Sequence, residues 1–590
     1  MPGDGADGAR GQGLSRLVGD SAGTQRRLAT QSVRRLAGAL AVTVFLLCAP
    51  GCGQPKVAKD APPRELESKA IGRIRELLAR VPPTLAKNHK TIVVPDGTVQ
   101  GFGAGEGYPQ IWLRDSAWLV PTAAAYYDAN TLTSWLDLHL SVATKNGRLR
   151  DWVAAASPET FREWAPGVVA VGPLAVDTNT TESDQEPSAT LAYCRAVEAL
   201  GRESAIASPA HVSRVDRLAK AMDALLRDRT DRRTGLIWSG LTADWGDVSP
   251  LYADQRAIYL DAKTPRTLSL YSNVMAYAAL DCLAALEPGP RRDRLTARAI
   301  RLRDKIRAAL WIQDRGYFRI RQALDPAPAD FGESENERFA LGGNALAALL
   351  GVADDAQAAS IFEAAERLRV ENKLSTISTT LIPPYAKGVF QHPAMREPFQ
   401  YQNGGQWDWF GAALVEAEFE RGYSQRARLH LDQIATRVLK AGPGIHEWYG
   451  QDGSPKGSAA YAAAAASIHN AIVRGLLGVS MLGNGYRVVI RAAESLQPFE
   501  IPQKAVSDRL VVSQRVEGSN IEVTVASRLP IQEICAVLPS GRAPNPTGAS
   551  NLPFPRSVRV RGRDTLMCAD VSSGDRPVRV HFNMAATSPP

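Results

Sequence analysis

The 590-residue chain has few of the residues that metal and redox chemistry depend on. It holds six Cys and eight His, and no two Cys form a CxxC pair, so a thiolate metal site is not indicated. The His are scattered, and His446 alone falls inside a motif. No Lys/Arg block is present that could track a phosphate backbone, which argues against nucleic acid as a partner. The apolar run from Leu36 to Leu47 is too short for a comfortable membrane span of about twenty residues. With 45% hydrophobic and 22% charged residues, the composition is that of a globular protein with ample material for a core. The length allows two to four domains of roughly 100–200 residues each.

The net charge of +8 is unevenly placed, because residues 1–51 carry six Arg and only three Asp. Arg26, Arg27, Arg34 and Arg35 precede the apolar run, which ends in Cys48-Ala49-Pro50-Gly51-Cys52. A basic region, a short apolar stretch and a small-residue site form the pattern of a secretory leader. Gly51-Cys52 resembles a bacterial lipoprotein processing site, so Cys52 is the expected point of lipidation and membrane tethering. Export to the periplasm or cell surface is the expected localisation. Cys194 and Cys282 lie in apolar helical patterns, where buried free thiols are expected. Cys535 and Cys568 lie in the strand-rich C-terminal region and could pair in an oxidising compartment.

After a linker at 52–63, helical periodicity dominates residues 64–482 in about a dozen segments, from 64–81 to 458–481. Val215, Leu218, Met222 and Leu225 show the spacing of one buried helix face. Tight turns such as Pro288-Gly289-Pro290 alternate with long loops at 82–114, 145–185, 229–266, 313–341, 371–404 and 440–457. Long loops inside a compact domain are usually functional. Six helical hairpins with their long loops on one rim describe an (α/α)6 toroid with its site at that rim. From about Tyr486 the period changes to two, as in Ile521-Glu522-Val523-Thr524-Val525, so residues 483–590 are expected to form a small β-sandwich.

The loops carry segments that packing does not explain. Trp112-Leu113-Arg114-Asp115 with Trp118 offers donors, acceptors and apolar faces to a sugar ring, although Asp115 could instead simply cap the helix that follows, the lesser reading. Asp151-Trp152 follows in the second loop. Asp184 precedes the next helix, where an N-cap is an equal reading. Asp244-Trp245-Gly246-Asp247 sets two carboxyls beside a Trp, a composition suited to a general acid because an apolar wall raises a carboxyl pKa. Tyr401-Gln402-Asn403-Gly404-Gly405-Gln406-Trp407 and His446-Glu447-Trp448 complete the set. Glu447, among aromatic and polar neighbours, suits a base that activates water.

Together these segments resemble motifs of the six-hairpin glycosidases over roughly residues 85–480, most of all the glucosidase half of glycogen-debranching enzymes. Asn403-Gly404-Gly405-Gln406-Trp407 is the most specific element. The resemblance implies Asp247 as general acid, with Asp244 the alternative, and Glu447 as base. It implies Arg114 and Asp115 as the residues holding the sugar, with Gln402, Asn403 and Trp407 lining the pocket. The implied reaction is inverting hydrolysis of a glycosidic bond, with α-glucosides as the nearest substrate class and no cofactor or metal. Inversion needs the two carboxyls about 6.5–9.5 Å apart. The chain departs from the debranching pattern by Gly246-Asp247, where Met-Asp is usual, and by an added Asp408-Trp409.

Other chemistry on the same toroid is weighed by what it requires. A phosphorylase uses phosphate in place of activated water and has no need of Glu447. Lyases and epimerases need His or Tyr to move a proton from carbon, and His446 and Tyr449 are the candidates. A catalytically silent sugar-binding lipoprotein would keep Trp and Arg without two opposed carboxyls.

Overall fold

Whether a helix here is buried on one side or all round decides its place in the fold. In the computed structural model, which describes residues 63–586 apart from 96, 179, 332, 545–555 and 574–576, twelve long helices alternate between the two types. The outer helices are α1 (Pro63–Ala79), α3 (Ala129–Ser141), α5 (Ala210–Arg229), α7 (Gly289–Leu310), α9 (Asp355–Glu371) and α11 (Ser424–Lys440). The inner ones are α2 (Leu113–Tyr126), α4 (Gln185–Leu200), α6 (Leu270–Leu286), α8 (Leu341–Leu349), α10 (Asp408–Glu420) and α12 (Ala462–Asn470). On α5, Val215, Leu218, Met222 and Leu225 are buried at helical spacing and the opposite face is solvated, as an amphipathic surface helix requires. Every residue of α12 is buried, five of them consecutive Ala.

Each inner helix packs on the next, α2 on α4, then α6, α8, α10 and α12, and α12 returns to α2. The ring is closed. α1 packs against α11 and supplies the twelfth member. Local signals fix several starts: Asp128 accepts from Thr131 N ahead of α3, and Asp354 and Gln357 form a capping box on α9, each cap satisfying N–H groups that the helix leaves unpaired.

The expected final helix at 458–481 is shorter than its periodicity suggests. It stops at Asn470 and continues as a wider π turn, Ala471–Leu476. The long loops are not structureless. Ile111–Trp112, Trp152–Ala155, Leu174–Asp177 and Val168–Val171 form, in that order, a four-stranded sheet. A short helix, Val81–Asn88, and a hairpin, His89–Val94 with Gly97–Phe102, occupy the first loop. Leu174–Asp177 is buried throughout and Trp152–Ala155 over its first three residues, so neither shows the apolar–polar alternation of a half-buried strand.

The described residues of 480–586 hold ten strands in two five-stranded sheets. The first sheet contains β1 (Ser480–Leu482), β2 (Gly485–Ile490), β6 (Ile531–Val537), β8 (Arg556–Arg561) and β9 (Asp564–Ser573), in the order β1-β2-β6-β9-β8. The second contains β3 (Leu496–Gln503), β4 (Asp508–Glu517), β5 (Asn520–Ala526), β7 (Arg542–Pro544) and β10 (Val578–Ala586), in the order β3-β4-β5-β10-β7. Ile521, Val523 and Val525 of β5 are buried and the residues between them are not, the alternation of a sheet with one face in a core. The sandwich seats on the α10–α11 turn: Arg563 N donates to Gly422 O at 2.8 Å, and Ser424 Oγ donates to Asp564 at 2.5 Å. Gly422 has φ 81°, and a Cβ there would lie 1.8 Å from Arg561 O, so glycine is required on both counts.

The Cys expectations divide. Cys535 and Cys568 stand opposite each other on β6 and β9 and are disulfide-bonded. The expected free thiols of Cys194 and Cys282 are corrected. They belong to neighbouring inner helices α4 and α6 with Cα atoms 6.2 Å apart and are also disulfide-bonded, because ring closure brings together positions 88 residues apart in sequence. Cys48, Cys52 and the leader at 1–51 lie outside the described residues. Among the described residues no helix is long and apolar enough to cross a membrane.

Candidate active site

The long loops all lead into the N-termini of inner helices, so six N-termini and their loops converge on one rim. Arg114 and Asp115 lie in the first turn of α2, Asp184 stands at the N-cap position of α4, and Tyr461 precedes α12. Asp247 comes from the loop before α6, Gln402 from the loop before α10 and Glu447 from the loop before α12.

Arg114 is the centre of the cluster. Its guanidinium lies 3.8 Å from Glu182 and 3.7 Å from Asp247. Burial works against its charge, but Asp151, Asp184, Glu182 and Asp247 outweigh that and hold it protonated. Burial pushes Asp151, Glu182 and Asp184 up from the ordinary carboxylate range, with Arg114 opposing. Both oxygens of Asp151, Oε1 of Glu182 and Nε and Nη1 of Arg114 have no hydrogen-bond partner among the described residues. Buried polar groups are ordinarily paired, so these atoms are available to a bound ligand.

The two candidate catalytic carboxyls are held differently. Asp247 accepts from Gln402 Nε2 at 2.9 Å, and its backbone carbonyl accepts from Thr181 Oγ1 at 2.8 Å. Its side chain keeps 17% exposure, against 3% for Glu447 as a residue. Glu447 accepts from Ser458 N at 2.9 Å and from Tyr108 OH at 3.5 Å. Burial pushes Glu447 up to about 7, Ser458 N–H opposes this, and the charges of Asp115 and Asp247 add to it. Asp115 accepts from Tyr461 OH at 3.0 Å and is pushed by burial up to about 6, against Arg114 and Tyr461. Asp115 is therefore no helix cap, and Asp184, which stands at an N-cap position, spends its carboxylate on Tyr271 OH at 2.9 Å instead.

Gly246 explains one departure from the debranching pattern. A Cβ at 246 would lie 2.4 Å from Gln402 Oε1, so a side chain there would displace the group that holds Asp247.

Several residues expected to line the pocket do not. Asp244 is fully buried and both its oxygens accept from Gly343 N at 3.2 Å, capping α8. Burial pushes it up to about 7, opposed by Gly343 N–H and Arg321. Trp118 is one turn down α2, 1% exposed, with Arg195 stacked 4.2 Å from its ring. Asn403 accepts from Tyr385 N at 2.8 Å and donates to Tyr385 O, Met395 O and Glu397 O, so it ties the loop rather than facing the pocket. Trp245 packs on Trp407, Trp409 and Phe410 at 4.8, 5.3 and 4.7 Å. It is core and not a wall beside Asp247. Trp407 is 1% exposed and donates to Tyr401 O.

Trp152 is buried beside Trp112, and both contact Trp164 at 5.7 and 5.6 Å. His446 and Trp448 flank Glu447 and are half-buried. Glu182, Tyr108, Ser458 and Tyr461 were not singled out from sequence as site residues. Glu182 lies within the segment that carries Asp184 and Ser458 lies 11 positions from Glu447, but Tyr108 and Tyr461 act through partners more than three hundred positions away, which no local spacing records.

No family model and no curated protein matches the chain. Among solved structures, an alpha-L-rhamnosidase from Dictyoglumus thermophilum aligns with TM-score 0.52 and 9% identity over 88% of this chain and 49% of that one. A GH63 mannosylglycerate hydrolase from Thermus thermophilus aligns at TM-score 0.49 and 17% identity over 68% of this chain and 100% of that one. A GH78 rhamnosidase of Bacillus sp. GL1 aligns at TM-score 0.47 and 16% identity over 80% and 42%. This chain spans about half the length of the Dictyoglumus enzyme, and the likeness is one of fold. The class is thus the (α/α)6 toroid of six helical hairpins with an added β-sandwich.

Proposed function

We propose that the chain is an inverting glycoside hydrolase acting on an oligo- or polysaccharide. The observation that supports this is that Asp247 lies 3.7 Å from Arg114 and its charge acts on Glu447, although the two carboxyls come from loops two hundred positions apart. In this reading Asp247, steered by Gln402, protonates the leaving oxygen. Glu447, held by Ser458 N–H and Tyr108, takes a proton from water on the opposite face. A base whose pKa is raised to about 7 is well matched to proton transfer near neutrality. Arg114, Asp115, Asp151 and Glu182 supply donors and acceptors for the hydroxyls of the bound ring. The chemistry needs no cofactor, and α-glucosides are the first substrates to try. Asp244 is the weaker acid candidate because its carboxylate is committed to α8.

The same reading makes the protein an exported one, tethered through lipidated Cys52. Its supports are the leader sequence and two disulfides, Cys194–Cys282 and Cys535–Cys568, which persist in oxidising compartments. Carbohydrate is then the partner, and nucleic acid is not. Incubating the purified chain with a panel of α- and β-linked oligosaccharides, with and without phosphate, tests the activity. Phosphate-independent release of a free sugar is expected. Release of a sugar 1-phosphate that depends on phosphate would replace the hydrolase by a phosphorylase.

A further inference from the structure

Asp408, one of the two added residues that set this chain apart from the debranching pattern, plays no part in the pocket. It is the first residue of α10, fully buried, and its carboxylate is bound by Arg437 Nη2 of α11 and by Ser378 Oγ at 2.8 Å. Arg437 is itself 6% exposed. Its Nη1 donates to Thr376 Oγ1 at 2.8 Å and to Gln406 Oε1 at 2.6 Å. The guanidinium plane covers the ring of Tyr449, 4.2 Å from its centroid. Gln406 passes the contact on: its Nε2 donates to Gly450 O at 2.8 Å, and Gln406 and Tyr449 exchange both backbone hydrogen bonds at 2.9 Å. Tyr449 OH accepts from His446 N at 3.3 Å. Positions 446, 449 and 450, on both sides of Glu447, are therefore fastened to one buried ion pair.

We infer that Arg437, oriented by Asp408, is the positioning residue that sets the Glu447 carboxylate in the pocket. The inference rests on the hydrolase reading given above. The planar guanidinium meets Asp408, Gln406 and Thr376 at once while stacking on Tyr449, a combination that the point charge of Lys cannot reproduce. Misplacement of a reacting group by an ångström costs about 10²-fold in rate, so a device of this kind is felt in kcat and not in binding of the ring.

The test compares Arg437→Lys, Arg437→Met and Asp408→Asn with Arg291→Met on the outer helix α7 as control. Two readouts are taken on folded protein: steady-state hydrolysis, and amide hydrogen exchange of the peptide covering 445–450. Expected are kcat lowered by about 10²-fold with KM within twofold, and exchange at 445–450 accelerated at least tenfold. Arg437→Lys should keep the fold without restoring either value, and the control should match the wild type. Wild-type exchange at 445–450 in Arg437→Lys or Arg437→Met would overturn the inference, as would a kcat that falls only in step with the folded fraction. The exchange measurement decides the matter even if the wild type cleaves no glycoside, an outcome that would defeat the hydrolase reading alone.

Discussion

The two rims of the ring are built from the same helices and could hardly differ more. At the rim where the sandwich seats, the connections are tight and several polar groups of the turns are paired. Asp564 is taken by Ser424, Gly422 O by Arg563, and Arg421 by Asp355 and the carbonyls of Ala348 and Ala353. At the other rim the loops are long, and Asp115, Asp151, Glu182, Asp184 and Glu447 are buried, with their pKa values pushed upward. One rim is organised for stability. The other keeps ionisable groups out of water, at a cost in stability.

Substitutions at the two rims should break in opposite ways. Glu447→Gln and Asp247→Asn should each lower kcat by about 10²–10⁴-fold, the range for loss of a general acid or base, without lowering the melting temperature. Gly422→Ala on the sandwich rim should leave kcat per folded molecule unchanged and destabilise by at least about 1–3 kcal/mol, the cost of a side chain forced into a left-handed conformation. An unaltered melting curve for Gly422→Ala, or normal turnover in Glu447→Gln, would erase the contrast.

A smaller effect sharpens the comparison. Glu447 has a folded pKa near 7, above the ordinary value of about 4.3. The group therefore favours the folded state at low pH and penalises it as pH rises. Glu447→Gln should accordingly raise the melting temperature by a few degrees at pH 8 and have little effect at pH 4. The activity of the wild type should fall as pH drops below about 7, because Glu447 must be unprotonated to act as base.

The outer ring gives a second group with the same sign of pH dependence, raised by charge pairing where Glu447 is raised by burial. His430 is bonded to Glu418 at 2.8 Å and Glu366 at 3.2 Å. Burial opposes its charge, but the two carboxylates raise it to about 9, so its contribution to stability is full below about 6.5 and is lost as pH rises through 9. His430→Gln should flatten that alkaline decline in a series of thermal melts. No change in the slope between pH 6.5 and 9 would contradict it.

Much of the ring could be read before any coordinates, because hairpins joined alternately by tight turns and long loops leave a pattern hundreds of residues long. The pocket was legible only in composition. Arg114, Asp247 and Glu447 stand in segments rich in Trp, Gly and Asp, and the structure brings these three together. Trp118, Asn403 and Asp244 stand in the same segments and look the same in sequence. What separates them is direction: Trp118 is a turn below the rim, Asn403 turns back on its own loop, and Asp244 faces α8. Ring closure likewise decided the Cys194–Cys282 pairing and the Tyr461–Asp115 bond, and neither leaves a local signature.

The most direct test of the account follows the anomeric signal of the first-formed sugar by NMR while a cleaved oligosaccharide is turned over. If Asp247 and Glu447 work as opposed acid and base, the new reducing end appears with the configuration opposite to that of the bond cut and then mutarotates. Release with retained configuration would contradict that arrangement.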